Sequence, residues 1–465
     1  MKRVLSIALL TLRAAMRYRL VMLLAVVVLA LVVLVPLIIR DDGTARGFTQ
    51  ILLTYTLGVT TALLGLATLW LATGTLARDV EECQMQMVVV KPIARWQIWV
   101  GKWMGIMILN LILLGVAGGA IFGVLQWRAS KLPPEQQAIL RNEVLVARGS
   151  LKEPTPPWRE IVEKVLEQQA QNPQFSTLDQ RLFRQQIEEQ VKARFQLVPP
   201  GYGRRWEIPL GIAKNRVKDK PLFLRVKFMA AGVTPVELEF NPRSYLATWQ
   251  VGVPESPKTW RDQMTLAAGA FHEFAVPPNL FSDQGVLNIE FQNQNEETLL
   301  FDLTDGMEVL YREGGFTLNF VRGLGIIACW LALLAALGLA AGSFLSFPVA
   351  SFVSLAALIV GLSSGTLAQV IEEGGISGVD HDTGQITHPL WIDQMVVFLF
   401  SCLLKIINLV QGFSPIDLLS TGRSVTWEQL GLALLQIVVL MGGLFAIIGI
   451  TLFTRRELAT AQGSA

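Results

Sequence analysis

The sequence predicts a polytopic α-helical membrane protein: six spans plus a re-entrant segment, with a large extracytoplasmic α+β insert containing a β-sandwich. Three observations predict it. Of 465 residues, 52% are hydrophobic and only 16% charged, whereas soluble domains carry about a quarter charged residues. Apolar runs of span length recur, beginning with 20–39, LVMLLAVVVLALVVLVPLII, and ~20 such residues cross the ~30 Å hydrocarbon core. Between the third and fourth spans, residues 127–321 have the mixed composition of a soluble domain.

Composition also excludes function classes. Lys and Arg total 39 against 37 Asp and Glu, a net charge of +2, so no polycation is present and nucleic acid is not an expected partner. Cys83, Cys329 and Cys402 cannot make a disulfide framework or a CxxC metal site.

The run 20–39 is too long for a cleaved signal peptide, lacks a small-x-small site and is followed by Asp41-Asp42, so it reads as a retained span. Further spans read at 51–76, 99–126, 322–345, 350–370 and 428–453. The run 391–411 is shorter and interrupted by Lys405 and Asn408. Lys2, Arg3, Arg13, Arg17 and Arg19 precede the first span, and Arg455-Arg456 follow the last. Both termini are therefore expected in the cytoplasm. That needs an even number of crossings, which makes 391–411 the re-entrant segment. Loop 77–98 is then cytoplasmic, while 127–321 and 371–427 lie outside. The insert has no cysteine and no Asn-x-Ser/Thr sequon, which favours a bacterial inner membrane.

Four regions follow: 1–126 with an amphipathic N-terminus, spans 1–3 and a cytoplasmic helix; 127–202, helical; 203–321, sandwich-like; and 322–465 with spans 4–6. In the helical region, Ile161, Val162, Val165 and Leu166 share one face, and Leu182, Phe183, Ile187 and Val191 another. From about 203 the apolar period becomes two, in runs such as RRWEIPLGI, PLFLRVKFMA, VELEF, YLATWQVGV and VLNIEFQNQ, the pattern of an antiparallel sandwich. Trp206, Trp249 and Trp260 read as sandwich core and rim, with a sugar-stacking platform as the alternative.

Catalytic patterns fail for physical reasons. No GxxxxGK[ST] occurs, so this chain has no P-loop for ATP. Gly361-Leu362-Ser363-Ser364-Gly365 matches GxSxG but lies in an apolar span, where no strand-to-helix elbow exposes a nucleophile. His272-Glu273 starts HExxH, but Val276 replaces the second His. Asp380, His381, Asp382 and His388 form an outer loop that is either solvated or a weak metal site. The interiors of the spans at 20–39, 51–76, 322–345 and 428–453 hold no Asp, Glu, Lys, Arg or His, which argues against an ion-coupled transporter. Thr54, Gly58, Thr61, Gly65, Thr68, Ala72 and Thr75 form a small-residue seam of period 3.5, read as helix packing or as a conduit or subunit face. Gly115, Gly119 and Gly123 add a second stripe.

From Ala77 the cytoplasmic loop reads ARDVEECQMQMVVVKPIARWQIWVGKW. Charges come first, then an apolar run, the pattern of an interfacial helix with Met85, Met87, Val88 and Val89 turned inward. Lys91, Pro92, Ile93 and Arg95, followed by Gly101 and Lys102, match in order a segment of the first cytoplasmic loop of ATP-binding-cassette (ABC) permeases. With the basic N-terminus and the tail Phe453–Leu458, this stretch resembles the type-2 exporter class over roughly 1–126 and 322–458. The chain departs from the family in Cys83-Gln84, where Gly-Thr is common, and in the length of the insert.

The resemblance implies a permease subunit, not itself an enzyme and with no cofactor of its own. Two copies of a separate ATPase subunit would hold ATP and Mg, and a second permease subunit would complete a homo- or heterodimer in the lipid membrane. Arg78, Glu81 and Glu82 would form the ATPase-docking face, with Lys91, Pro92 and Arg95 anchoring its end at the headgroups. The alternative is a non-transporting component that transmits ATP-driven motion through the insert to a cell-envelope protein.

Overall fold

Helices form where the apolar runs stand, because a chain in lipid must satisfy every backbone N–H and C=O internally. The computed structural model describes residues 2–17, 19–38, 44–85, 93–170, 180–232, 243–253, 259–373 and 391–456. Lys91, Pro92, Met87, Val88, Val89, the run VELEF and the loop residues Asp380, His381, Asp382 and His388 lie outside them. The chain divides into two units, Met1–Val146 with Gly315–Ala465, and Ala147–Gly314.

In the first unit, α1 (Lys2–Arg17) and α2 (Arg19–Ile38) meet at a sharp bend, followed by α3 (Ala45–Glu81) and α4 (Arg95–Ala129). Short α5 (Pro134–Ile139) closes this half. Among the described residues, five helices are long and apolar enough to cross a membrane, or up to seven if each of two bent pairs counts as one span.

The core is built on close approach of α3 to α8 (Phe316–Gly342). A Cβ on Gly338 would stand 2.7 Å from the Ala72 Cβ, and one on Gly342 would stand 2.9 Å from the Thr73 carbonyl. Glycine is therefore required at both positions for the backbones to touch. Around this contact Leu52, Leu53, Leu57, Ile326, Ile327 and Leu331 are buried in one cluster, and Leu76, Ile98, Trp99, Leu339 and Phe453 in another. Buried Asn319 of α8 donates to the Arg423 carbonyl at 2.8 Å and accepts from Val425 N–H at 2.7 Å. It thereby fixes the segment preceding the last helix, which a Thr426–Gln429 capping box then starts.

Two expectations change in the second half. The run 391–411 is one unbroken helix, α11 (Trp391–Gln411). Lys405 and Asn408 stand one turn apart, both exposed on a common face, so they decorate the helix rather than interrupt it. The break falls earlier, where α9 (Phe347–Leu362) and α10 (Ser364–Glu373) are bent by 62° at Ser363. The Gly361–Gly365 segment places small residues there, and Gly/Ser pairs weaken the helical ladder. After α12 (Pro415–Ser420), the last span starts as α13 (Trp427–Ala433), passes through a π-helical stretch Leu434–Gly442 and ends as α14 (Gly443–Arg455).

The second unit contains helices α6 (Trp158–Ala170) and α7 (Gln180–Gln196), packed through Val162, Ile187 and Val191. Its strands, in chain order, are β1 (Val146–Leu151), β2 (Leu197–Val198), β3 (Gly203–Pro209), β4 (Leu222–Val226), β5 (Met229–Ala230) and β6 (Ser244–Gly252). They continue with β7 (Thr259–Ala267), β8 (His272–Val276), β9 (Val286–Asn293), β10 (Leu299–Leu300) and β11 (Met307–Gly315). Two four-stranded sheets, ordered β3-β9-β6-β7 and β1-β11-β4-β8, share one core, and a small sheet runs β2-β10-β5. The period of two is visible in that core: Leu222, Leu224 and Val226 face inward, as do Leu287, Ile289 and Phe291. Strand β1 falls in the stretch expected to be helical only, and β7 was not among the expected strands. Strand β1 (VARGSL) is short, of mixed character and buried over its first four residues, so it shows no period. Strand β7 (TWRDQMTLA) does alternate, with Trp260, Met264 and Leu266 turned to the core and Asp262 interrupting that series.

Trp206 and Trp249 are sandwich core. They are 2% and 0% exposed, their rings lie 6.1 Å apart, and Phe291 is 4.9 Å from Trp249. Rings so enclosed cannot stack on a sugar. Trp249→Ala should lower the stability of this unit by about 3–5 kcal/mol, whereas partly buried Trp260→Ala should cost clearly less. Limited proteolysis of the full chain against denaturant checks the ordering.

Candidate functional site

The charged end of the bundle, where α3 leads into α4, gathers most of the residues singled out in the sequence. The last turn of α3 carries Arg78, Asp79, Glu81 and, just past it, Glu82. The expected interfacial helix does not begin at Arg78: Arg78 to Glu81 continue α3, which ends in a turn at Glu82 and Cys83. Cys83 adopts φ 58°, the left-handed conformation that glycine takes without a Cβ penalty. The turn thus holds a residue with a Cβ in a glycine-like backbone conformation. Met85 beyond it is buried, as expected.

Each charge has a specific use. Lys102 of α4 is buried, with its ammonium 2.5 Å from Asp79 Oδ2 and 2.6 Å from the Thr75 carbonyl. A desolvated ammonium requires such partners, and this pair bolts α3 to α4. Glu81 Oε1 accepts from Phe347 N–H at 2.7 Å, so a carboxylate on α3 satisfies an orphan donor at the start of α9 and complements its dipole. Arg78 lies over the Phe347 ring, 4.0 Å from the centroid, a cation–π contact with the same residue. Glu82 is exposed and accepts from Gln84 Nε2 at 2.7 Å.

Arg95, at the start of α4, donates through Nη1 to the carbonyls of Phe453, Thr454 and Arg456 at 2.7, 2.8 and 2.8 Å. A guanidinium on the C-terminal carbonyls of α14 is favourable both as hydrogen bonding and against the helix dipole. Arg456 in turn donates to the Ser343 carbonyl at the end of α8, at 3.3 Å. The α3–α4 connection is therefore tied to the start of α9 and the end of the last span. Sequence reading found Arg78, Glu81 and Arg95 but missed Asp79, Lys102 as its partner, and Phe347. No local spacing links positions 79, 102 and 347.

The small-residue seam divides in two. Gly65, Thr68 and Ala72 are buried, and Leu334 of α8 lies 3.2 Å from where a Gly65 Cβ would stand. The Thr68 hydroxyl reaches Leu64 O at 2.6 Å and the Asn110 side chain of α4 at 3.1 Å, while Thr75 donates to Ala72 O. This half is helix packing. Toward the other end Thr54, Gly58 and Thr61 are half-buried, and nothing lies within 4 Å of a Cβ at Gly58. Thr73, outside the seam as read, joins α3 to α9 through Ser351 at 3.1 Å.

The Ser363 hydroxyl of the GxSxG segment donates to Ile359 O at 2.9 Å at the bend between two helices, an arrangement without a nucleophile elbow. His272 and Glu273 sit on β8, with His272 Nε2 2.7 Å from the Ala267 carbonyl and Glu273 paired with Arg148.

Asp79→Asn strands a buried ammonium, while Lys102→Met leaves a carboxylate that is about one-third exposed. The Asn variant should therefore melt at the lower temperature, and the double variant should recover part of the loss. The coupling term expected from such a cycle is roughly 0.5–3 kcal/mol. Cys83→Gly should raise stability by about 1 kcal/mol by relieving the left-handed backbone. Thermal unfolding of the purified full chain reads all four variants.

Comparison with protein-family models, characterised proteins and solved structures returned no match, so what this end of the bundle does has to be inferred from these side chains and their partners.

Proposed function

We propose that the chain is the membrane-spanning permease subunit of an ATP-driven transporter of the ABC type-2 exporter class. In this reading it lies in a bacterial inner membrane with both termini in the cytoplasm, and a separate ATPase subunit docks on the α3–α4 connection. The observation that carries it is the mechanical linkage of that connection. Arg78 and Glu81 engage Phe347 at the head of α9, and Arg95 holds the C-terminal carbonyls of α14. A push on this end would be felt by α3, α4, α9 and α14 at once, which is what a permease driven from the cytoplasm needs. The scarcity of ionisable groups inside the spans is consistent with energy supplied from another subunit.

An even number of crossings places both ends inside if either α11 or the bent α9–α10 pair turns back within the membrane. The open half of the α3 seam, from Thr54 to Thr61, is the surface we assign to a second permease subunit or to the transport path. The insert then lies on the outer side. Its self-contained core also favours the second reading, a non-transporting complex member that passes ATP-driven motion to an envelope protein. A transporter's ATPase responds to a small molecule or lipid; a transmitter's responds to a protein partner or peptidoglycan.

The test is purification of the tagged chain from its host in mild detergent, with mass spectrometry of what co-elutes. A P-loop ATPase is expected. Glu82→Lys, which reverses an exposed charge without touching the Phe347 contacts, should reduce its recovery several-fold with membrane insertion unchanged. Undiminished recovery would remove Glu82 from the docking face, and no ATPase at all would overturn the reading.

A further inference from the structure

Helices α1, α2, α3 and α4 line a partly open cavity of about 530 Å³, within the ~300–1,000 Å³ range of small-ligand sites. Its lining has two characters. Arg13, Arg17 and Arg78 stand in it together with the Lys102–Asp79 pair and Glu82, while Val21, Leu24, Leu71, Leu109 and Leu113 supply aliphatic walls. The bonded pair cancels in charge, so three guanidiniums face one carboxylate. Among the described residues Trp70 is the one aromatic ring in the lining, which suits flexible methylene chains better than a stacked planar ligand. Asn110 also lines it; this side chain is 4% exposed and its amide nitrogen has no hydrogen-bond partner.

The position of α1 says where the charged end of the cavity lies. Ile7, Ala8, Thr11 and Ala15 are buried, with Ala8 O and Thr11 against Gly105 of α4. Leu5, Leu9, Leu10 and Met16 are exposed. An amphipathic basic helix with its apolar residues bare lies in the membrane interface. That sets Arg13 and Arg17 at headgroup depth, and α2 turns away from them at a bend of 69°.

From these observations we propose that the cavity is a binding site for an anionic glycerophospholipid. The headgroup phosphate is held by Arg13, Arg17 and Arg78, an acyl chain lies along Val21, Leu71 and Leu109, and the unpaired Asn110 amide donates to a lipid oxygen. Charge complementarity selects the anionic headgroup; the aliphatic walls require the chains. The site shares Arg78 with the α9 linkage but does not rest on the transport reading, since a lipid here would brace α1 against the bundle whatever the bundle moves.

Native mass spectrometry of the delipidated full chain tests it, with phosphatidylglycerol, phosphatidylcholine of matched chains, and inorganic phosphate as probes. Phosphatidylglycerol should bind more tightly than phosphatidylcholine. Arg13→Gln with Arg17→Gln should weaken it on the order of thirtyfold, because each basic group near an anionic surface strengthens binding roughly fivefold. Ala14→Trp, which keeps every charge and fills space at the lining, should also weaken it. Equal binding of the two lipids, or unchanged binding in the arginine double variant, overturns the headgroup assignment. Unchanged binding in Ala14→Trp, or displacement of the lipid by inorganic phosphate at equal concentration, overturns the acyl-chain assignment. Ala14→Trp is the safeguard should the arginine variant fail to elute as a single species.

Discussion

A buried ammonium cannot stay unpaired, and in this chain that requirement organises the charged end of the helix bundle. Lys102 sits at 6% exposure on α4, so α3 has to present Asp79 and the Thr75 carbonyl to it. Once α3 and α4 are held in that register, the neighbouring groups have little freedom. Glu81 meets the N-terminus of α9, Arg78 covers Phe347, and Arg95 reaches the last carbonyls of α14. The helix ends, which would otherwise leave donors and acceptors unsatisfied, are closed by side chains from one short connection.

The glycine contact between α3 and α8 is the apolar counterpart of this arrangement. Lipid tails are as apolar as leucine, so the spans gain little by hiding hydrophobic surface from each other. Close backbone approach at Gly338 and Gly342 supplies dispersion contacts that larger residues would prevent. The insert works by the opposite principle. Its tryptophan- and phenylalanine-rich core is removed from water and is stabilised by burial in the ordinary way. Two solvents thus act on one chain, and each unit carries the core its own solvent favours.

Much of this was legible in the amino-acid order. Apolar runs set where α2, α3, α4, α8 and the last span lie, because the hydrocarbon core imposes a length. The switch from a helical period to a period of two placed most of the sandwich, since Leu222, Leu224 and Val226 alternate as a half-buried strand must. Strand β1 escaped because six residues of mixed character set no period, and β7 because Asp262 breaks the inward series Trp260, Met264 and Leu266. The unbroken α11 escaped because Lys405 and Asn408 look like interruptions until their common face is seen.

Sequence alone therefore determined the solvent of each segment, the period of its structure and the absence of a P-loop, all of which are local properties of residue order. Only the tertiary structure decided which charge meets which: Asp79 with Lys102, Glu81 with the head of α9, Arg95 with the end of α14. It also decided that Trp206 and Trp249 face inward, and that four helices leave a cavity with arginines at one side. Those outcomes depend on residues far apart in the chain brought within a few ångströms by packing, and no local pattern encodes such a distance.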